Sequence, residues 1–421
     1  MVVELINTGT ELMLGRVLNT HQQWLCRQLA DLGYVVARQV AVPDTGSDIQ
    51  QAVREALARA DLIIATGGLG PTSDDLTRDL IAQLLDKPLH EDPAILSHLQ
   101  HFFALRKRPM PERMRVQAQV PQDALVLHNP HGTAPGLAFE VRPNRFRAGG
   151  HGSWLILLPG PTRELRPMFT DSVVRLLRRV LSLGSGFVCR NLRTTGIGES
   201  LVQEKIGGPL RRLVETGLDL GYCARPGQVD VRLAARGGDA PQRVAEAEAT
   251  VRELLGPHLY GGEDDDLETV IVRLLTKRKE TLAVAESCTG GCIANRLTNV
   301  PGASAVLLAG LVTYSNAAKQ KFLGVRADTL ARHGAVSEPV AREMAEGARQ
   351  QTQSDYALSV TGIAGPSGGT PEKPVGTVFI GLAGPTGTAI ERNLNPYDRE
   401  TFKQVTAQQA LDLLRRTIKG G

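Results

Sequence analysis

Along residues 2–88 the apolar positions switch repeatedly between a run or two-residue alternation and a three-to-four-residue spacing. "VVELINTG" (2–9) is a short buried strand entering a loop, and "NTHQQWLCRQLADLG" (19–33) has helical spacing with Gly33 as its stop. "YVVARQVAVPD" (34–44) is strand-like, "IQQAVREALARA" (49–60) helical, and "DLIIATGGLGP" (61–71) a buried strand ending in a glycine-rich loop. "DDLTRDLIAQLLDKP" (74–88) then opens a helix with acidic residues in its first turn, where the helix dipole favours them. Such alternation predicts a mainly parallel sheet with ligands at the carboxyl ends of its strands. "PGLAFEVRPNRFRAGGHGSWLILLPGPTREL" (135–165) predicts a β-hairpin with a basic, glycine-rich tip.

From about 170 the pattern changes to the strand "FVCRNLRTTGIG", a helix near "SLVQEKIGGPLRRLVE", the strand "QVDVRLAARG" and the helix "APQRVAEAEATVRELLGPHL". This is the pattern of a small α+β domain, and "YGGEDDD" (260–266) is the linker candidate after it. From 267 a third unit runs through a helix, the strand "TLAVAES", the strand "SAVLLAGLVTYS", two helices, the strands "YALSVTG" and "GTVFIGLAG" and a closing helix at 399–418. The expected fold is α/β: two α/β domains with mainly parallel or mixed sheets (1–168 and 264–421) joined by a small α+β domain (169–263). A chain of 421 residues exceeds what one core usually organises, which fits that division.

Composition narrows the function classes. A net charge of +4 is small for this length, and aromatics at 4% argue against stacking platforms for single-stranded nucleic acid. No two glycines between 170 and 262 are three apart, so the G-x-x-G clamp of an RNA-binding KH module is missing and a structural or dimerising spacer is expected there. Five cysteines without a C-x-x-C pair argue against disulfides or zinc and for reduced thiols in the cytoplasm. No apolar run approaches the roughly 20 residues that span a bilayer.

Three strand-end loops of the first domain would converge: "NTGTEL" (7–12), "VPDTG" (42–46) and "TGGLGPTSDD" (66–75). Gly67, Gly68 and Gly70 would expose amides beside a helix N-terminus, a site for phosphate. Asp74 and Asp75 could hold a divalent cation bridging phosphates, with Glu11 and Asp44 completing the shell. The same residues also read as a helix cap and a tight turn, and chemistry alone does not choose.

The third domain poses a sharper question in "AESCTGG" (285–291). Ser287 falls where a buried strand gives way to a helix, and the amides of Thr289, Gly290 and Gly291 would face the same space as an oxyanion hole or phosphate site. A serine needs a base. His333 reads as a turn residue, whereas Lys319, with a pKa lowered by desolvation, could serve. Ser315 and Lys319 are four apart on one helical face, and Tyr314 beside them could relay a proton or orient substrate. "VTGIAGPSGG" (360–369) adds Thr361 and Gly362 at another strand end. Taken singly these residues read as a cap, a surface lysine and a packed edge; three successive strand-end loops carrying nucleophile, base and donors favour a site. Cys288 is the rival nucleophile, and Cys292 reads as core.

"TGGLGPTSDD" resembles the molybdopterin-binding fold, and with "GTELMLG", "NPHGTAPG" and "LLPGPTREL" residues 2–165 resemble the N-terminal half of the CinA family. "AESCTGG", "GLVTYSNAAK", "HGAVSEPV", "TGIAGPSGGTPEKPVGTV" and "PYDRE" are similar to the CinA C-terminal domain over about 267–418. The resemblance implies, for the first half, metal-dependent hydrolysis of the ADP-ribose pyrophosphate bond, with Asp44 and Asp75 at the motif aspartates. For the second it implies metal-free hydrolysis of the amide of nicotinamide mononucleotide, with Ser287 attacking, Lys319 and Tyr314 assisting, Glu286 and Thr289 to Gly291 around the substrate, and Arg399 meeting the phosphate. Two positions depart from the family pattern: His21 follows "NT" in place of asparagine, and "YDR" replaces "GDR". The implied partners are these two nucleotides and a second copy of the chain, with no membrane. A molybdopterin-nucleotide transferase, suggested by "TGGLGP" alone, leaves the C-terminal motifs unexplained; a competence-related adaptor without essential catalysis is the other alternative.

Overall fold

A computed structural model of the chain describes residues 1–181, 186–262 and 265–420. Two compact units result, Met1–Phe187 and Val188–Gly421.

The first unit contains β1 (Val3–Thr8), β2 (Val36–Val42), β3 (Leu62–Thr66), β4 (Leu89–Glu91), β5 (Gln119–Pro121), β6 (Leu125–Leu127), β7 (Gly136–Val141) and β8 (Ser153–Leu158). Six of them form one sheet in the order β2-β1-β3-β8-β7-β6, and β4 pairs with β5 apart from it. The β2-β1-β3-β8 part is parallel; β7 and β6 add antiparallel edges. Every residue of β1 and β3 is buried, as expected for parallel strands covered on both faces. Alternate side chains enter two cores: Ile6, Ile63 and Leu157 pack against Val53 and Ile81 on one face, and Leu5, Ile64 and Ile156 against Leu25 and Phe169 on the other. The expected hairpin 135–165 is present as β7–β8. The unit runs past the expected boundary at 168, because Phe169, Val173 and Leu177 continue the same helical face into the core beneath β1 and β8.

The second unit begins with β9 (Phe187–Thr195), β10 (Leu218–Arg225), β11 (Gln228–Arg236) and β12 (Leu259–Gly262), in the order β10-β11-β9-β12. Two helices, Glu199–Glu215 and Ala240–Leu255, bury their apolar stripes on one face of this sheet. β10 is a strand the pattern missed: its side chains are half-exposed and Gly221 interrupts it, yet it pairs along its whole length with β11. The linker candidate is structured at both ends. Tyr260–Gly262 belong to β12, and Asp265 accepts from the Gly262 amide; Glu263 and Asp264 lie outside the described residues.

The remainder holds β13 (Leu282–Glu286), β14 (Leu307–Val312), β15 (Tyr356–Gly362), β16 (Thr377–Gly384) and β17 (Gly387–Leu394), ordered β14-β13-β15-β16-β17. β14-β13-β15 are parallel and β15-β16-β17 antiparallel. β17, also missed, is an edge strand with little apolar content. The long helix Arg399–Gly420 packs on this sheet, and its buried Arg415 donates to Pro257 O at 2.7 Å, seating the small sheet domain against it. Among the described residues no helix is long and apolar enough to cross a membrane.

Candidate functional site

The strand β13 ends at Glu286, and Ser287 to Gly291 turn the chain into the helix Cys292–Thr298. The turn needs left-handed backbone at Gly290 (φ +61°) and Gly291 (φ +94°), which residues with a Cβ adopt only at a cost. It delivers the amides of Gly291, Ile293 and Ala294 to the Glu286 carboxylate at 3.0, 3.1 and 2.9 Å. Glu286 is fully buried and both of its oxygens are filled. Expected at the substrate, it instead pins the loop and the helix start, each charged bond contributing about 1.5–3 kcal/mol.

Ser287 is thereby presented to Lys319, whose Nζ lies 3.0 Å from Ser287 Oγ, 2.9 Å from Thr313 O and 3.3 Å from Tyr314 O. Lys319 is 1% exposed, with no carboxylate among these partners. Burial pushes its ammonium below the ordinary lysine value. Nζ donates to all three oxygens; once deprotonated, the amine can keep two N–H bonds to the carbonyls and turn its lone pair to the Ser287 hydroxyl. Cys288 is buried and pushed up to about 12, so it is a protonated thiol, not the nucleophile.

The other expected residues divide. Ser315 caps the helix Asn316–Leu323, accepting from Ala318 N at 3.1 Å. Thr361 donates to Ala335 O at 2.8 Å and is buried, and Gly362 permits the close approach of Thr377 and Val378. Tyr314 contributes its carbonyl to Lys319, while its ring is 60% exposed and its hydroxyl accepts from Arg399 Nη2 at 2.8 Å. Arg399 also donates to Gly365 O at 2.9 Å, tying three loops together. The expected amide hole is shifted. Gly290 N donates to Ser287 O and Gly291 N to Glu286, so among the described residues the loop amides spared by carbonyls and carboxylates are those of Cys288 and Thr289. Lys403, which the sequence reading passed over, sits one turn after Arg399, with Nζ 3.9 Å from where a Cβ on Gly290 would be; the i, i+4 spacing on the closing helix was the available signal.

In the first unit, a cavity of about 420 Å³ is lined by Glu11, Asp44, Gly67, Gly68, Gly70, Asp74 and Asp75, so those three loops do meet. Gly68 allows Thr77 to approach to where a Cβ would stand only 2.1 Å from its hydroxyl. Gly67 N is consumed by Leu158 O, while the amides of Gly68, Leu69 and Gly70 have no acceptor among the described residues. The carboxylates do not form the expected shell. Asp75 accepts from Thr72 N at 2.9 Å and Asp44 from Thr10 N at 2.9 Å, and among the described residues no three His, Cys, Asp or Glu side chains are placed to hold a metal. Each aspartate keeps one oxygen outside these bonds, which suits a cation that arrives with phosphate oxygens and needs only one or two protein carboxylates. Gln117 and Glu164 also line the cavity; Glu164 stands in the quoted "PTREL", whereas Gln117 has no sequence signal.

The fold thus defines a chain with a glycine-loop α/β unit, a small two-helix sheet domain and a serine–lysine α/β domain. Models of three families match it: a probable molybdopterin binding domain over 4–179, a damage-inducible protein CinA KH domain over 189–261, and a CinA C-terminal domain over 264–418. The chain is 45% identical over its whole length to a protein of Symbiobacterium thermophilum described as competence-damage inducible, covering 99% of it. It is also 45% identical to a CinA-like protein of Akkermansia muciniphila, with 97% of this chain and 95% of that one aligned. A crystal structure of a competence/damage inducible protein from Agrobacterium tumefaciens matches 36% of this chain and 93% of its own at 40% identity, TM-score 0.35. The chain belongs to the CinA family.

Proposed function

We propose that the Ser287–Lys319 pair hydrolyses a carboxamide, and that the substrate is nicotinamide mononucleotide, converted to nicotinate mononucleotide and ammonia. The observation that carries this reading is a buried lysine within 3.0 Å of a serine hydroxyl, with no carboxylate to keep the lysine charged. Lys319 takes the Ser287 proton as Oγ bonds to the amide carbon. The C–N bond then breaks, and Lys319 returns the proton to the departing nitrogen, which leaves as ammonia. Water, deprotonated by the same amine, releases the acid from the acyl-serine. The amides of Cys288 and Thr289, which face the Cys288 sulfur in the resting site, would have to turn to the developing oxyanion. Arg399 and Lys403 supply positive charge for the phosphate. The test is ammonia release from nicotinamide mononucleotide in EDTA: wild type should work, and Ser287→Ala and Lys319→Ala should not. Equal rates for Ser287→Ala and wild type would sink the reading.

For the first unit we propose hydrolysis of a nucleotide pyrophosphate, ADP-ribose being the substrate the family resemblance suggests. Three unpaired amides at Gly68–Gly70 support binding of the phosphates. Asp44 and Asp75 would hold a divalent cation, which when bound supplies neutralisation of phosphate charge. Release of AMP from ADP-ribose with and without added magnesium or manganese tests it; no release with any divalent ion refutes it.

A further inference from the structure

One loop, Asn129–Pro135, separates the glycine-lined cavity of the first unit from a second cavity of about 320 Å³. Thr133 lines both. The loop is held firmly: Asn129, 3% exposed, donates through Nδ2 to Ala134 O at 2.8 Å and Glu164 Oε2 at 2.9 Å, and its Oδ1 accepts from His131 N at 3.1 Å.

The second cavity has a different chemistry from the first. Ile95, Val126 and Pro135 give it an apolar wall. His98 and His128 line it with their rings edge to face, 5.0 Å between centroids. His98 Nε2 is 3.2 Å from Gly132 O, a group that only accepts, so Nε2 donates there and Nδ1 is the ring nitrogen left to face a ligand. Asp92 spends Oδ1 on the helix amides of Ala94 and Ile95, leaving Oδ2 as a second acceptor. Flat apolar and imidazole surfaces with acceptors at the rim suit a planar nitrogen heterocycle that carries an exocyclic amino group. They do not suit a phosphate, which would meet Asp92 and no cation among these lining groups. The volume is at the lower end of the range for small-molecule pockets, enough for a base and too small for a whole dinucleotide.

We propose that this cavity is the base subsite of the first unit: it takes the purine ring of a nucleotide whose diphosphate lies on the Gly68–Gly70 amides across the Thr133 wall. The inference rests on the reading of the glycine cavity as a phosphate site. It makes His128, an exposed residue immediately before the loop, a specificity determinant that never touches the bond being cleaved.

Calorimetry on the full chain with magnesium, using ADP and inorganic pyrophosphate as probes, tests it. Stacking of one base is worth roughly tenfold in affinity, so ADP should bind about ten times more tightly than pyrophosphate. His128→Ala should remove that advantage and leave pyrophosphate binding unchanged, and His128→Phe, which keeps a ring, should restore most of it. Equal binding of the two probes, binding of neither, or equal weakening of both by His128→Ala overturns the proposal. Turnover separates it from the hydrolase reading. If ADP binding depends on His128 but ADP-ribose is not cleaved whichever divalent ion is added, the subsite stands and the hydrolase falls. If ADP-ribose is cleaved with one KM in wild type and His128→Ala, the subsite falls and the hydrolase stands.

Discussion

The glycine cavity of the first unit and the serine–lysine site of the second stand on sheets of the same plan, parallel strands followed by antiparallel ones, yet they are finished to different degrees. In the second unit, the serine hydroxyl and lysine amine proposed as nucleophile and base already touch, at 3.0 Å, and a buried carboxylate pins the loop that carries the serine. In the first, three amides and several carboxylates surround a space without converging on one point. Amide hydrolysis requires a nucleophile and base placed before substrate arrives. Chemistry at a phosphate can draw on charge that the substrate brings with it. A site can therefore be complete as a protein structure or complete only as a complex.

The comparison breaks most visibly at Ser287 and Lys319. Ser287→Ala or Lys319→Ala should lower amide hydrolysis at least about 1,000-fold while the circular dichroism spectrum is unchanged, because members of such a pair act as a unit. Chelation should divide the two units next: EDTA should abolish pyrophosphate hydrolysis and leave ammonia release within error of the untreated rate. A loss of both would mean that the serine–lysine site also depends on a metal. Removing the Arg399 guanidinium should raise KM for the phosphorylated amide about tenfold with a smaller effect on kcat, the loss of one charged contact. Tyr314→Phe, which keeps the carbonyl that binds Lys319 and loses only a solvent-exposed bond from the Arg399 guanidinium, should cost only about two- to threefold. A fall as large as that of Lys319→Ala would instead make the phenol part of the proton path.

The pH profile sharpens the same contrast. Burial lowers the folded-state pKa of Lys319, so the neutral, basic form is gained as pH rises through that lowered value. Amide hydrolysis should rise with pH to a plateau reached below the ordinary lysine range. The stability that burial costs is largest below the lowered value, where the folded chain also holds the proton, and is recovered between the lowered value and the unfolded one. A limb inflecting at the ordinary lysine pKa would show that Lys319 is solvated and charged during turnover.

How far the sequence could be read follows from what each residue is bonded to. Ser287 and the glycines of both loops were legible because they stand at strand ends, where the 2-to-3.6 change of period marks a sheet edge, and Lys319 because it lies one helical turn after Ser315. Glu286 was placed at the substrate by the family resemblance; nothing in the spacing shows three amides curling back onto it. Tyr314 was legible as a position and not as a direction, since its ring turns outward to Arg399 while its carbonyl turns inward. β10 and β17 escaped because a strand with a half-exposed face owes its existence to its partner, not to its own pattern. The four carboxylates of the first unit read as a shell because sequence gives proximity of loops; side-chain bonds to Thr10 and Thr72 then decide where the oxygens point.

Cys288 lies next to the nucleophile and holds its proton up to about 12, whereas Cys223 is exposed. Maleimides and iodoacetamide, which consume thiolates, should therefore label Cys223 and spare the reaction centre. Peroxide should be similarly blind to it. If the serine–lysine pair cleaves amides as proposed, it should keep working while the surrounding thiol pool is being oxidised, and compounds meant to silence it covalently would need a warhead that reacts with an alcohol.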